Sequence, residues 1–107
     1  MRRGEVWWAN LDPTIGSEVK KTRPCVIVSN DSANRAQSRV QVVPLTSAQP
    51  AMIYPWEARI TLNGRDSKAM ADQIRTLSKA RLTGLVGTTS RQELAALENA
   101  LRFQLEL

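Results

Sequence analysis

Gly16-Ser17-Glu18-Val19-Lys20-Lys21-Thr22-Arg23-Pro24-Cys25-Val26-Ile27-Val28 is the stretch on which the reading of the fold turns. Its last four residues are apolar without a break, which suits a strand covered on both faces in the middle of a sheet. The part before them is polar, contains a glycine and carries an acid among several cations, so it reads as a flexible loop able to close over a ligand. Pro24 joins the two. Its ring fixes its own φ and biases Arg23 toward extended backbone, so a guanidinium is presented from the rim of a buried strand with little backbone freedom.

Outward from this segment, short runs rich in Val, Ile and Trp alternate with polar connections. Strands are expected over Glu5 to Ala9, Cys25 to Ser29, Val40 to Pro44 and Glu57 to Leu62, the rhythm of a small β-barrel. Arg39-Val40-Gln41-Val42 alternates and predicts one wet face. Asp12-Pro13 and Gly16 are turn signals within the loop from Asn10 to Lys21. Met70 to Leu77 reads as a strand pair or a bent strand, and Ser78 to Leu82 as one helical turn that Gly84 and Gly87 interrupt. Ser90 followed three residues later by Glu93 is a capping-box pattern. Leu94, Leu97, Leu101 and Leu105 then recur at helical spacing, which predicts a C-terminal helix with its leucines on the barrel, a partner contact being the alternative.

The 107 residues support one domain over 1–107. A domain of this size buries only about two-thirds of its unfolded surface, so dimerisation would add to its stability. Fifteen Lys and Arg against ten Asp and Glu leave a net charge of +5, with a pI near 10.1. Nucleic acid is the leading anionic partner, although charge alone fits a basic protein without a polyanion ligand equally well. A single cysteine excludes an internal disulfide. No apolar stretch follows Met1-Arg2-Arg3 as in a secretory leader, and no apolar run approaches the roughly 18 residues of a membrane span, so a cytoplasmic protein is expected.

Histidine is absent, which removes the usual acid/base at neutral pH and the commonest metal ligand. A thiol enzyme built on Cys25 would lack its imidazole partner, and a zinc site would lack a second cysteine, so no metal or cofactor is expected and Cys25 reads as a small apolar residue. Arg23 has the planar donors and permanent charge needed to hold phosphate, a surface ion pair being the alternative. Pro44-Leu45-Thr46-Ser47 ends a strand in hydroxyls that either donate to an anionic oxygen or bond the local backbone. In Tyr54-Pro55-Trp56-Glu57, Trp56 fits a base-stacking platform and a core position equally well. Trp7 and Trp8 are adjacent in a strand and point to opposite faces, so at most one is in the core and one is left to meet a partner.

Four segments in order, Arg3-Gly4-Glu5-Val6-Trp7, Gly16-Ser17-Glu18 with Arg23-Pro24 and Val26-Ile27-Val28, Pro44-Leu45-Thr46, and Asp72-Gln73-Ile74-Arg75-Thr76-Leu77 with Arg81-Leu82, resemble the MazF/PemK toxin family along nearly the whole chain. The resemblance implies a mainly β fold with some α, an SH3-like barrel of the MazF/CcdB type with a C-terminal helix. It implies a homodimer whose groove takes single-stranded RNA or, alternatively, the extended tail of a MazE-like antitoxin. The implied activity is metal-independent cleavage at short RNA motifs, by attack of a ribose 2′-OH on the adjacent phosphate to give 2′,3′-cyclic phosphate and 5′-OH ends. Arg23 and Thr46 are then the catalytic pair, Glu18 belongs to the active-site loop, and Gln73 and Arg75 are expected substrate contacts beside Trp56. Lys20 and Lys21 lie outside the matched motif and serve to attract phosphate. Arginine is not readily deprotonated, which favours Glu18 as proton acceptor once loop closure brings it to the 2′-OH. The alternatives are a CcdB-like toxin that grips DNA gyrase without nuclease activity, and an RNA-binding module without chemistry.

Overall fold

The computed structural model describes residues 1–13, 15–18 and 21–107. Seven strands, β1 (Glu5–Asn10), β2 (Thr22–Ile27), β3 (Arg39–Thr46), β4 (Glu57–Leu62), β5 (Arg65–Met70), β6 (Arg75–Ser78) and β7 (Leu82–Thr88), are joined by helix α1 (Asp31–Ala36) and closed by helix α2 (Arg91–Leu105). The strands form one antiparallel sheet in the order β4-β5-β3-β2-β1-β7, with β6 also paired to β3. No described helix is long and apolar enough to cross a membrane.

The apolar strands fall where their composition puts them. Val40, Val42, Val43 and Leu45 of β3 are all buried, as are Cys25, Val26 and Ile27 of β2. Alternating side chains send Val6, Val26, Val43, Ile60 and Leu97 into one cluster and Ala9, Cys25, Ile27, Val42 and Leu77 into another. The curled sheet therefore buries residues on both of its faces.

Helix α2 begins with the full capping box, Glu93 N donating to Ser90 Oγ at 3.1 Å and Ser90 N to Glu93 Oε1 at 2.8 Å. Leu97 and Ala100 are buried in the first cluster, with Leu101 packed against it. The leucine stripe thus packs on the sheet, except that Leu105 at its end is 48% exposed.

Strand limits differ from the sequence expectation for local reasons. β2 starts at Thr22 because β1 continues to Asn10 and pairs with it. Residues 70–77 do not form a strand pair. A 3-10 turn at Ala71–Gln73 separates β5 from β6, and the expected helical turn is a 3-10 turn at Lys79–Arg81. Strand β5, Arg-Asp-Ser-Lys-Ala-Met, has little strand propensity, yet it pairs along its whole length with β4. The connecting Asn63 and Gly64 both have positive φ, 51° and 77°, the backbone of a tight hairpin turn whose twist matches that of its strands. Gly84 and Gly87 do not end the chain's last strand. They sit in β7 opposite Trp8 and Val6, where the pairing with β1 shifts register.

Among the described residues one ion pair is buried. Lys68 Nζ lies 3.1 Å from Glu57 Oε1, with side chains 6% and 8% exposed. The ammonium also donates to Met52 O at 2.9 Å, and Glu57 Oε1 accepts from Tyr54 N at 3.0 Å. Deleting one partner leaves an uncompensated buried charge, so Lys68→Met is expected to lower unfolding stability by about 3 kcal/mol, and the double variant Lys68→Met/Glu57→Gln to recover part of that loss. Urea unfolding midpoints at constant m-value check both.

Candidate functional site

Arg23 and Thr46 extend the register of β2 and β3 to the rim of the sheet. β2 and β3 pair Cys25 with Pro44, and two residues further along each antiparallel strand lie Arg23 and Thr46, on the same face of the sheet. On its other side Thr46 pairs with Lys68 of β5. Both residues line a cavity of about 620 Å³ at the rim of the sheet, together with Trp8, Ser47, and Arg65 and Asp66 of the β4–β5 hairpin.

The two readings of Thr46 turn out to be compatible. Its Oγ1 accepts from Ala48 N at 3.2 Å, which fixes the side chain through its oxygen and leaves the O–H proton uncommitted by that bond. Arg23 is part-buried. Two residues on, Cys25 is fully buried, and burial pushes its thiol up to about 12 against the pull of the Arg75 and Arg23 guanidiniums. Both cations therefore act on the same region, yet the thiol stays protonated and has no nucleophilic role.

Of the other expected site residues, Glu18, Lys21, Gln73, Arg75 and Trp56 are not among those that line this wall. Glu18 is exposed and its Oε1 accepts from Ile15 N at 2.9 Å, within its own loop. Lys21 adopts a positive φ of 68° and donates its N–H to Asp12 Oδ1 at 3.0 Å. Lys20 lies outside the described residues. Gln73 stands in the 3-10 turn after β5. Arg75 in β6 donates to Leu11 O at 3.3 Å, tying β6 to the end of β1. Trp56 stacks on Tyr54 at 5.0 Å between centroids with 2° between planes, and on Phe103 at 6.4 Å.

Several polar lining residues, Asn63, Arg65, Asp66 and Ser67, escaped the sequence reading. Asp66 follows the hairpin turn, and one carboxylate oxygen is held by the Thr61 hydroxyl, which donates to Oδ1 at 3.1 Å. It is the one acidic residue on the cavity wall. Trp8, also on the wall, is the member of the Trp7-Trp8 pair that stays out of the core. Among the described residues no three His, Cys, Asp or Glu side chains come together as a metal-holding group.

A guanidinium and a hydroxyl on adjacent strand ends open on one cavity with a single carboxylate, at the rim of a small curled β-sheet. The family description "PemK-like, MazF-like toxin of type II toxin-antitoxin system" matches residues 2–105. A curated relative, Endoribonuclease MazF9 of Mycobacterium tuberculosis, is 44% identical, with 100% of this chain and 98% of that protein covered. Endoribonuclease EndoA of Bacillus subtilis is 31% identical, with 100% and 96% covered. Among solved structures, MazF from Deinococcus radiodurans superposes with a TM-score of 0.86 at 26% identity, over 100% of this chain and 97% of that one. The chain belongs to the PemK-like, MazF-like toxins of type II toxin-antitoxin systems. A gyrase-binding toxin of the CcdB kind is not favoured by these findings.

Cys25 gives this region a pH signature. A thiol whose folded value is raised from 9.0 to about 12 stabilises the fold fully below the unfolded value, and that stability is lost as pH rises from about 9 toward 12. Alkaline unfolding is expected to be shallower in Cys25→Ala, measured by thermal melts from pH 8 to 11, and the native thiol to stay inert to a disulfide reagent at pH 8.

Proposed function

We propose that this chain is an endoribonuclease that cuts single-stranded RNA in the cytoplasm as a homodimer and is restrained by a MazE-like antitoxin. The observation that carries the reading is the convergence of Arg23 and Thr46 on one cavity. The relatives named endoribonucleases support the activity, and a similar solved structure, with a TM-score of 0.84 at 26% identity over 100% of this chain and 96% of that one, is an endoribonuclease in complex with its cognate antitoxin from a mycobacterial species.

In this reading the scissile phosphate sits against Arg23, whose charge is permanent, and the Thr46 hydroxyl donates to the same oxygens. The ribose 2′-OH attacks the phosphorus, negative charge builds on the phosphorane oxygens, and the 5′ oxygen leaves and takes up a proton. A 2′,3′-cyclic phosphate and a 5′-OH remain. The chemistry needs charge neutralisation and proton transfer, and a guanidinium with a carboxylate supplies both without metal.

Asp66 is better placed than Glu18 to take the 2′-OH proton. Glu18 points its carboxylate at its own loop. By strand alternation Asp66 shares the face of Lys68 and Thr46, and Thr61 holds one of its oxygens while the other is left to accept. Gln73, Arg75 and the loop cations then act on flanking nucleotides.

Wild-type protein in EDTA is expected to cut long single-stranded RNA to cyclic-phosphate and 5′-OH ends. Arg23→Ala and Thr46→Ala should each lower kcat by about 100-fold or more, the loss typical of one well-aimed donor. Folded wild type that leaves varied RNAs intact would sink the reading. Asp66→Asn keeps an oxygen for Thr61 yet is expected to lower kcat by about 100-fold. A larger loss in Glu18→Gln would return the proton to the loop.

A further inference from the structure

We propose that Trp8 is the platform on which an unpaired base of the RNA stacks, beside the phosphate held by Arg23. The inference rests on the RNA-cleavage reading and adds a residue to it.

Adjacent tryptophans in β1 have opposite fates. Trp7 packs against the second core cluster and donates its indole N–H to Glu5 Oε1 at 3.0 Å. Trp8 is 43% exposed and lines the cavity shared with Arg23 and Thr46. Its cross-strand neighbours are Pro24 and Gly84. Gly84 has no side chain to lay over the indole, whereas an added Cβ there would touch it, 3.9 Å from Trp8 Cδ1. Proline on one side and glycine on the other leave the indole uncovered.

The rest of the cavity has matching chemistry. Leu45, Leu62 and Val86 give it an apolar side, while Arg23 and Thr46 are polar. About 620 Å³ exceeds what a phosphate alone occupies. A nucleotide has the same division, a flat base with apolar faces joined to an anion, and stacking on an aromatic ring is how unpaired bases are held. Trp56, the aromatic expected from the sequence to do this, already stacks on Tyr54 and on Phe103. The platform role moves from Trp56 to Trp8.

The test separates stacking from cleavage by using two RNAs. One is unmodified; the other carries 2′-O-methyl riboses and lacks the attacking hydroxyl. For Trp8→Ala, Kd for the methylated RNA and KM for the unmodified one should rise about tenfold or more, with kcat changed much less. Trp8→Phe, which keeps a flat ring, should recover most of the affinity. Binding of methylated RNA should quench tryptophan fluorescence in wild type, and the quench should be lost in Trp8→Phe and kept in Trp56→Phe. Unchanged Kd and KM in folded Trp8→Ala would overturn the proposal. So would a change in sedimentation mass with Kd unchanged, which would assign the indole to a protein contact. If wild type binds methylated RNA with a Trp8-dependent quench yet never cuts unmodified RNA, stacking stands and the nuclease reading falls.

Discussion

Strand β3 is bonded on both edges, and the change of partner along one of them shapes everything else. On one side it pairs with β2. On the other, Arg39 to Val42 pair with β6, and Leu45 and Thr46 pair with β5. Val43 and Pro44 sit at the changeover. A proline has no N–H to give a ladder and is normally kept to edges and irregularities. Here the missing donor falls where the outer edge passes from one strand to the next, so a central strand carries it. The same changeover lets the sheet curl, with β6 and β5 leaving β3 in different directions. Thr46 is the last residue of β3, paired with Lys68 of β5 just beyond the point where β2 leaves the ladder.

What was legible in the sequence was whatever depends on local pattern. Cys25 to Val28 suited a central strand, which runs buried through Ile27, and Ser90 with Glu93 marked the start of a helix. Arg23 was legible because Pro24 constrains it. Strand β5 was not, since Lys68 looks like a surface residue until Glu57 and the Met52 carbonyl, both brought by tertiary structure, satisfy its charge. β7 was hidden by two glycines whose cost is met by pairing with β1, at places where the register shifts. Asp66 was hidden for a related reason. A hairpin turn at Asn63-Gly64 brings it to the site, and nothing in its own neighbours announces that it will meet Arg23's cavity.

The absence of histidine shapes the chemistry that remains. An imidazole serves as both acid and base near neutral pH, and without it the roles are divided among groups of fixed charge. Arginine is suited to hold an oxyanion because it does not give up its proton, and for the same reason it is a poor base. In the proposed reading the proton falls to a carboxylate, because the arginine cannot take it. Asp66, which lines the same cavity as Arg23, is such a carboxylate. The Thr61 hydroxyl orients Asp66 without adding a competing cation.

The anchor itself is tied to the helix. Glu93 closes the capping box of α2 with one oxygen and accepts from Thr61 N at 2.6 Å with the other. The helix start is thus fastened to β4 at the residue whose side chain holds Asp66. Leu97, one turn further along α2, packs in the same cluster as Ile60 of β4, so the polar tie is backed by a fully buried apolar contact. A hairpin tip two strands from the centre of a sheet is ordinarily free to fray. This one is fixed from outside by the helix, and the C-terminal segment, which contributes no side chain to the cavity, sets the geometry of one of its walls.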